Sequence, residues 1–278
     1  MVRYWRITYK LVGTLLVTAL AALPVVIVAV ATAGHPRARA RVGAQASHVW
    51  ARFLLPILAV RVTRTGPVPV AGTMVVSNHL SYLDILCLAS CYSGLFLSKA
   101  EIAGWPGFGV LARAAGTVFV DRDQARDTGR VNGELATWLR AGLRITWFPE
   151  GRTSDGATVA PFKSSLFQAA FLADVPCVPV TLGVATPGTE LPVSQTVCWW
   201  SSEPFVGHFL RLLTLPRVEV AVHFGEQVIP TGDRKRLAQE LHGRVAAAFV
   251  PVTRDGAAGP GSGAMRGRVD QNGCLRLK

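Results

Sequence analysis

A histidine and an aspartate five positions apart, in Asn78-His79-Leu80-Ser81-Tyr82-Leu83-Asp84, are the residues of this chain best suited to moving a proton. A carboxylate that holds one imidazole nitrogen fixes the tautomer and leaves the other nitrogen as a base. The same spacing has a structural reading, because Ser81-x-x-Asp84 matches a capping box with Asp in place of Glu or Gln. No serine or cysteine stands in a G-x-S-x-G elbow. If His79 is a base, the attacking group must therefore be a hydroxyl or amine brought by a substrate. The five cysteines form no C-x-x-C pair and no histidine cluster has zinc spacing, so neither a disulfide framework nor a metal site is indicated. Cys87 and Cys91, one helical turn apart, read as small core residues.

These residues need a scaffold, and short β-rich runs alternate with amphipathic stretches from Gly72 to about Val250. Residues 73–77, 95–98, 117–120, 145–148, 178–182 and 218–224 read as strands. Residues 82–92, 107–115, 124–141, 162–173 and 234–249 read as helices, the last with Asp233 as its N-cap. Such alternation predicts an α/β fold, a single mixed, largely parallel sheet flanked by helices. His79 then lies in a strand-to-helix turn, at the carboxyl edge where open α/β sheets place their sites. Lys99 ends a second strand, Asp121-Arg122 a third, and Trp147 to Gly156 forms a polar, glycine-punctuated loop after a fourth. If the strands are parallel, Lys99, Arg122 and Arg152 reach the same edge, and the loop can present amides to an anion.

The chain has 278 residues and 29 Lys+Arg against 17 Asp+Glu, a net charge of +12, with 50% apolar residues, which excludes disorder over most of its length. The mean hydropathy of +0.34 points to a membrane segment. Leu11 to Gly34 carries no charged residue, enough to cross a bilayer as a helix. A cleaved signal peptide is the rival reading, given the basic lead of Arg3, Arg6 and Lys10. Basic residues on both flanks leave orientation open. A membrane-dipping hairpin with a second arm from Val42 to Val60 is an equal alternative to a crossing. Residues 1–70 are thus read as membrane-anchoring helices, 71–250 as the catalytic domain and 251–278 as a disordered basic tail. No zinc finger, basic zipper or aromatic RNP pattern points to nucleic acid, so the positive charge is assigned to lipid headgroups.

The ordered segments Asn78-His79 with Asp84, then GTVFVDR at 116–122, FPEG at 148–151, and VPCVPV at 175–180 resemble the four blocks of the glycerolipid acyltransferases, typified by 1-acyl-sn-glycerol-3-phosphate acyltransferase. The resemblance covers residues 73 to about 182, and more loosely runs from the N-terminal arms to 249. It implies that His79 deprotonates an acceptor hydroxyl, that Asp84 orients it, and that the hydroxyl attacks the thioester of acyl-CoA or acyl carrier protein. It implies no cofactor beyond that co-substrate. Asn78, Lys99, Arg122, Glu150, Gly151 and Arg152 become the acceptor-binding set, the acceptor being a lysolipid, foremost 1-acyl-sn-glycerol-3-phosphate. The expected location is the cell inner membrane, with the catalytic domain on the cytoplasmic side. One departure stands out: the family's FPEGTRS is here Phe148-Pro149-Glu150-Gly151-Arg152-Thr153-Ser154, which moves the arginine by one position. The run FPEGRTSDG followed by PFKSSLF also resembles a bacterial subgroup that includes lyso-ornithine lipid acyltransferases, whose acceptor lacks a phosphate. Physically, the reaction needs anion stabilisation as well as a base; amides at the start of the helix after His79, or in the 151–156 loop, are the candidates.

Overall fold

The computed structural model describes residues 2–32, 34–105, 108–121 and 125–252, with only the backbone described for 2, 23–31, 108, 125 and 126. Arg122 and the expected disordered tail from 253 onward lie outside the described residues.

Seven strands form one sheet in the order β1-β7-β6-β2-β5-β3-β4. They are β1 (Val60–Thr65), β2 (Met74–Ser77), β3 (Leu95–Lys99), β4 (Val118–Val120), β5 (Ile145–Trp147), β6 (Cys177–Ala185) and β7 (Val218–Phe224). Strands β6, β2, β5, β3 and β4 are mutually parallel, whereas β7 runs antiparallel to β6 and parallel to β1. The sheet is therefore mixed and mostly parallel, as the alternation predicts. Strand β1 lies in the stretch read as N-terminal arms; it pairs with β7 along its whole length and so belongs to the sheet.

Helices cover both faces, which is why the central strands are apolar throughout rather than alternating. Met74, Val76, Ile145 and Trp147 face one core with α5 (Ala125–Arg140), α6 (Gln168–Ala173) and α9 (Arg234–Ala248). Val75, Phe148, Val178 and Val180 face the other with α2 (Pro36–Ile57), α3 (Leu83–Cys91) and α8 (Phe205–Thr214). The Asp233 side chain caps α9 as expected, accepting from the amides of Lys235 and Arg236. Helix α3 begins at Leu83, one residue later than predicted. Two shorter helices, α4 (Phe108–Ala114) and α7 (Val193–Thr196), complete the series.

Helix α1 (Val2–Ala31) folds back along α2, where Gly13 lies against Ile57 and Trp50 Nε1 donates to Thr18 Oγ1 at 3.2 Å. A Cβ at Gly13 would meet Ile57 at 2.8 Å, so glycine sets the approach. The expectation of a membrane crossing finds no support here: among the described residues no helix is long and apolar enough to cross a membrane. Instead α1 is tied to the protein through polar groups. Lys10 is fully buried and its Nζ donates to Leu215 O at 2.7 Å, just past the end of α8. A cation suits the negative end of a helix dipole.

Burial, with a smaller contribution from Arg6, pulls the Lys10 ammonium down from 10.5 to about 8. Below that pH folded and unfolded chains both carry the proton; between about 8 and 10.5 only the unfolded chain does. The group therefore adds stability as pH rises through that window. Thermal melts of the wild type and Lys10→Met at pH 7.5 and 9.5 test this. The wild type should gain relative to the variant at the higher pH, and parallel curves would show that the buried amine is not coupled to folding.

Candidate active site

His79 sits two residues beyond β2, and its position is set from three directions. Asn78, 1% exposed, continues the β2–β6 ladder with its side chain: Oδ1 accepts from Leu182 N at 2.8 Å and Nδ2 donates to Leu182 O at 3.0 Å. The His79 amide donates to Glu150 Oε1 at 2.6 Å, and the His79 carbonyl accepts from Ser154 N at 2.9 Å. The ring stacks on Phe148, with centroids 3.8 Å apart and planes 11° from parallel.

His79 Nδ1 lies 2.8 Å from Asp84 Oδ2. That oxygen also accepts from the amides of Leu80 at 2.6 Å and Ser81 at 2.8 Å. Ser81 Oγ in turn accepts from Leu83 N at 3.3 Å. The capping and histidine-orienting readings of Asp84 are thus both realised, and by the same oxygen. A carboxylate only accepts, so Nδ1 is the donor of this pair, and in the neutral ring the lone pair then lies on Nε2. Nε2 has no partner among the described residues, and the side chain is 16% exposed.

Glu150 is buried, and both of its side-chain oxygens accept from backbone amides. Its Oε1 takes the His79 amide and its Oε2 the Ala160 amide at 2.8 Å. Burial raises its carboxyl above the ordinary value, and the two amide donors oppose that shift. Gly151 closes the turn that begins at Phe148, donating to Phe148 O at 3.1 Å with φ +79°, a conformation glycine adopts without strain. Pro149 and Gly151 occupy the positions such turns favour.

Of the expected acceptor-binding set, Asn78 and Glu150 have their side-chain polar atoms bonded to backbone groups. Lys99 is exposed at the end of β3, in register with Val120. Arg152 is exposed, while Thr153 Oγ1 donates to Trp199 O, so the position where the family pattern has arginine turns inward. Four amides at the start of α3 are engaged: those of Leu80 and Ser81 serve Asp84, that of Leu83 serves Ser81 Oγ, and that of Asp84 serves Ser81 O.

Several supporting residues carried no sequence signal. Tyr82 O–H donates to His208 Nδ1 at 3.1 Å, and His208 Nε2 donates to Cys198 O at 3.1 Å. Burial holds His208 below its ordinary pKa, in keeping with a neutral ring that accepts on one nitrogen and donates on the other. Trp199 N donates to Leu80 O at 2.9 Å, and its ring packs edge-on against Tyr82 and Phe205. The described cysteines are poor nucleophiles, since burial raises the thiols, those of Cys177 and Cys198 to about 12. Among the described residues no cluster of three or more His, Cys, Asp or Glu side chains is placed to hold a metal ion.

A histidine and a buried carboxylate paired at the carboxyl edge of an open α/β sheet define the class, an α/β enzyme. The comparisons with known proteins narrow it. A family profile described as Acyltransferase matches residues 59–183. Over 195 residues the chain is 37% identical to lyso-ornithine lipid O-acyltransferase of Rhodobacter capsulatus, covering 67% of this chain and 69% of that protein. Over 125 residues it is 38% identical to 1-acyl-sn-glycerol-3-phosphate acyltransferase of Neisseria gonorrhoeae, covering 45% of this chain and 49% of that protein. The crystal structure of the 1-acyl-sn-glycerophosphate acyltransferase PlsC from Thermotoga maritima has the same fold, with a TM-score of 0.60 at 20% identity over 88% of this chain and 96% of that one. The chain belongs to the acyltransferase family and is an O-acyltransferase.

Glu150→Gln keeps the size of the side chain but offers one acceptor where two amides need one each. The expected result is a loss of about 1–3 kcal/mol in denaturant unfolding, with faster hydrogen exchange at the amides of His79 and Ala160. Unchanged exchange at both would show that Glu150 does not hold the loop.

Proposed function

We propose that the enzyme moves a fatty acyl group from an acyl thioester, acyl-CoA or acyl carrier protein, to the free hydroxyl of a lysolipid, with His79 as general base. The observation that carries this reading is the His79 Nδ1–Asp84 bond with Nε2 left unpartnered. Nε2 takes the hydroxyl proton as the oxygen attacks the thioester carbonyl. The tetrahedral intermediate then collapses, the carbon–sulfur bond breaks, and the imidazolium returns the proton to the departing thiolate. Asp84 holds the ring and stabilises its charged form. With four amides at the start of α3 engaged, and those of Gly151 and Ser154 as well, the amides of Tyr82, Arg152 and Thr153 are the candidates to stabilise the oxyanion.

For the acceptor, the phosphate-free reading gains weight. The relatives matched over the larger share of the chain are named lyso-ornithine lipid O-acyltransferases. Thr153, where the family pattern has arginine, is turned toward Trp199. The second reading, 1-acyl-sn-glycerol-3-phosphate, rests on exposed Lys99 at the carboxyl end of β3 and on the Neisseria relative. Incubation with both lysolipids and a labelled acyl donor separates them by which one is acylated.

His79→Ala should lower acyl transfer by about 10²–10⁴-fold, the usual contribution of a general base, with the melting temperature retained; near-wild-type turnover would refute the mechanism. Asp84→Asn keeps an oxygen for the Leu80 and Ser81 amides but loses the charge. A large activity loss with a small stability loss is expected, and the reverse pattern would make Asp84 a cap only.

The same reading places the enzyme at a membrane surface rather than through it. Trp5, Tyr9, Val12, Leu16 and Leu20 are exposed on α1 at helical spacing and form one apolar stripe. Trp5→Glu with Leu16→Glu should reduce sedimentation with anionic phospholipid vesicles several-fold. Equal sedimentation would mean that α1 is not the contact.

A further inference from the structure

The pleat of β5 sends its last residue and the one after it to opposite sides. Phe148 goes toward His79. Trp147 goes the other way, into a cavity of about 80 Å³ whose wall includes Thr128, Gly151, Lys163 and Ser165. That space accommodates a small polar group or several waters.

Several hydrogen-bond donors stand around it. Trp147 is 3% exposed, and its Nε1–H has no hydrogen-bond partner among the described residues. An indole nitrogen can only donate, and leaving it unpaired in the interior is costly. Lys163 is exposed at the rim and is fixed beside the turn by its own amide, which donates to Pro149 O at 2.9 Å. It makes no ion pair among the described residues. The hydroxyls of Thr128 and Ser165 can turn to donate. Their backbones are pinned together by Asn132 Nδ2, which reaches Thr128 O at 2.9 Å and Ser165 O at 3.0 Å. Among the described residues no carboxylate lines the cavity.

A buried donor without an acceptor, a rim ammonium and two adjustable hydroxyls complement an oxyanion. We propose that the cavity is an oxyanion subsite, taking a phosphate or carboxylate of a substrate between Trp147 Nε1–H and Lys163, across the Phe148–Gly151 turn from His79. The identity of the substrate rests on the acyl-transfer reading: the oxyanion belongs either to the acceptor headgroup or to the phosphates of the donor. The site itself does not depend on that choice.

Inorganic phosphate at constant ionic strength is the direct probe. It should raise the melting temperature of the wild type, and Lys163→Met and Trp147→Phe should each remove more than half of that rise. Trp147→Phe keeps an aromatic ring against Phe167, which lies 5.0 Å away, so the fold has little reason to fail. Equal stabilisation of all three proteins by phosphate overturns the subsite. In turnover, both variants should raise KM by about ten-fold or more, for the lysolipid if its headgroup occupies the cavity and for the acyl donor if its phosphates do. If neither KM moves, the cavity does not serve a substrate and the proposal is overturned, whatever phosphate does. His79→Ala leaves the cavity intact and should keep the phosphate response. Phosphate binding without any acyl transfer by the wild type would therefore refute the function proposed above and not the subsite.

Discussion

Asp84 Oδ2 accepts three N–H groups inside a site where Asp84 is 2% exposed, and the chemistry proposed for this enzyme hangs on that oxygen. Burying a carboxylate is expensive unless its lone pairs are engaged, so the loop from His79 to Ser81 must curl until all three donors point at one atom. That curl starts helix α3 and also aims the imidazole. The cap and the catalytic pair are one device: the backbone donors offset the cost of burying the charge, and the buried charge then selects the histidine tautomer. The amides consumed in this way are lost to oxyanion binding.

Sheet order explains why the remaining supports come from far along the chain. Strand β2 lies between β6 and β5, so the end of β2 has one neighbour on each side. From β6 comes Leu182, whose amide and carbonyl bind the Asn78 side chain. From the turn after β5 come Phe148 under the ring, Glu150 on the His79 amide and Ser154 on its carbonyl. Two buried carboxylates, Asp84 and Glu150, thus bracket one histidine without touching its free nitrogen. Both act on position, and pre-organisation of this kind is where a general base gains its rate.

The parts legible in the sequence were those whose signal is local. Central strands β2, β3, β5 and β6 are buried on both faces and read as apolar runs, and the His79–Asp84 spacing is short enough to be seen as a pair. Strand β1 was hidden because it is the sheet's edge: of VRVTRT only Val60 is buried, and its arginines mask the alternation. The bonds from Glu150 to the amides of His79 and Ala160 are not legible, because backbone partners leave no trace in residue types. The same is true of Asn78 and Leu182. Helix α1 read as a membrane span because its apolar face and its packing face cannot be told apart in composition. The buried bond from Lys10 to Leu215, 205 positions away, is what separates them.

The pair Trp147-Phe148 joins the two halves of the site. A strand alternates its side chains, so two adjacent aromatics at the end of β5 must serve both cores, and each ends beside a polar group that its own face supplies. Phe148 flattens against the base. Trp147 offers a donor on the other side, with the Phe148–Gly151 turn between them. In the turn sequence Pro-Glu-Gly each residue meets a separate demand: Pro149 starts the bend, Glu150 locks it to His79, and Gly151 takes the positive φ that follows without strain.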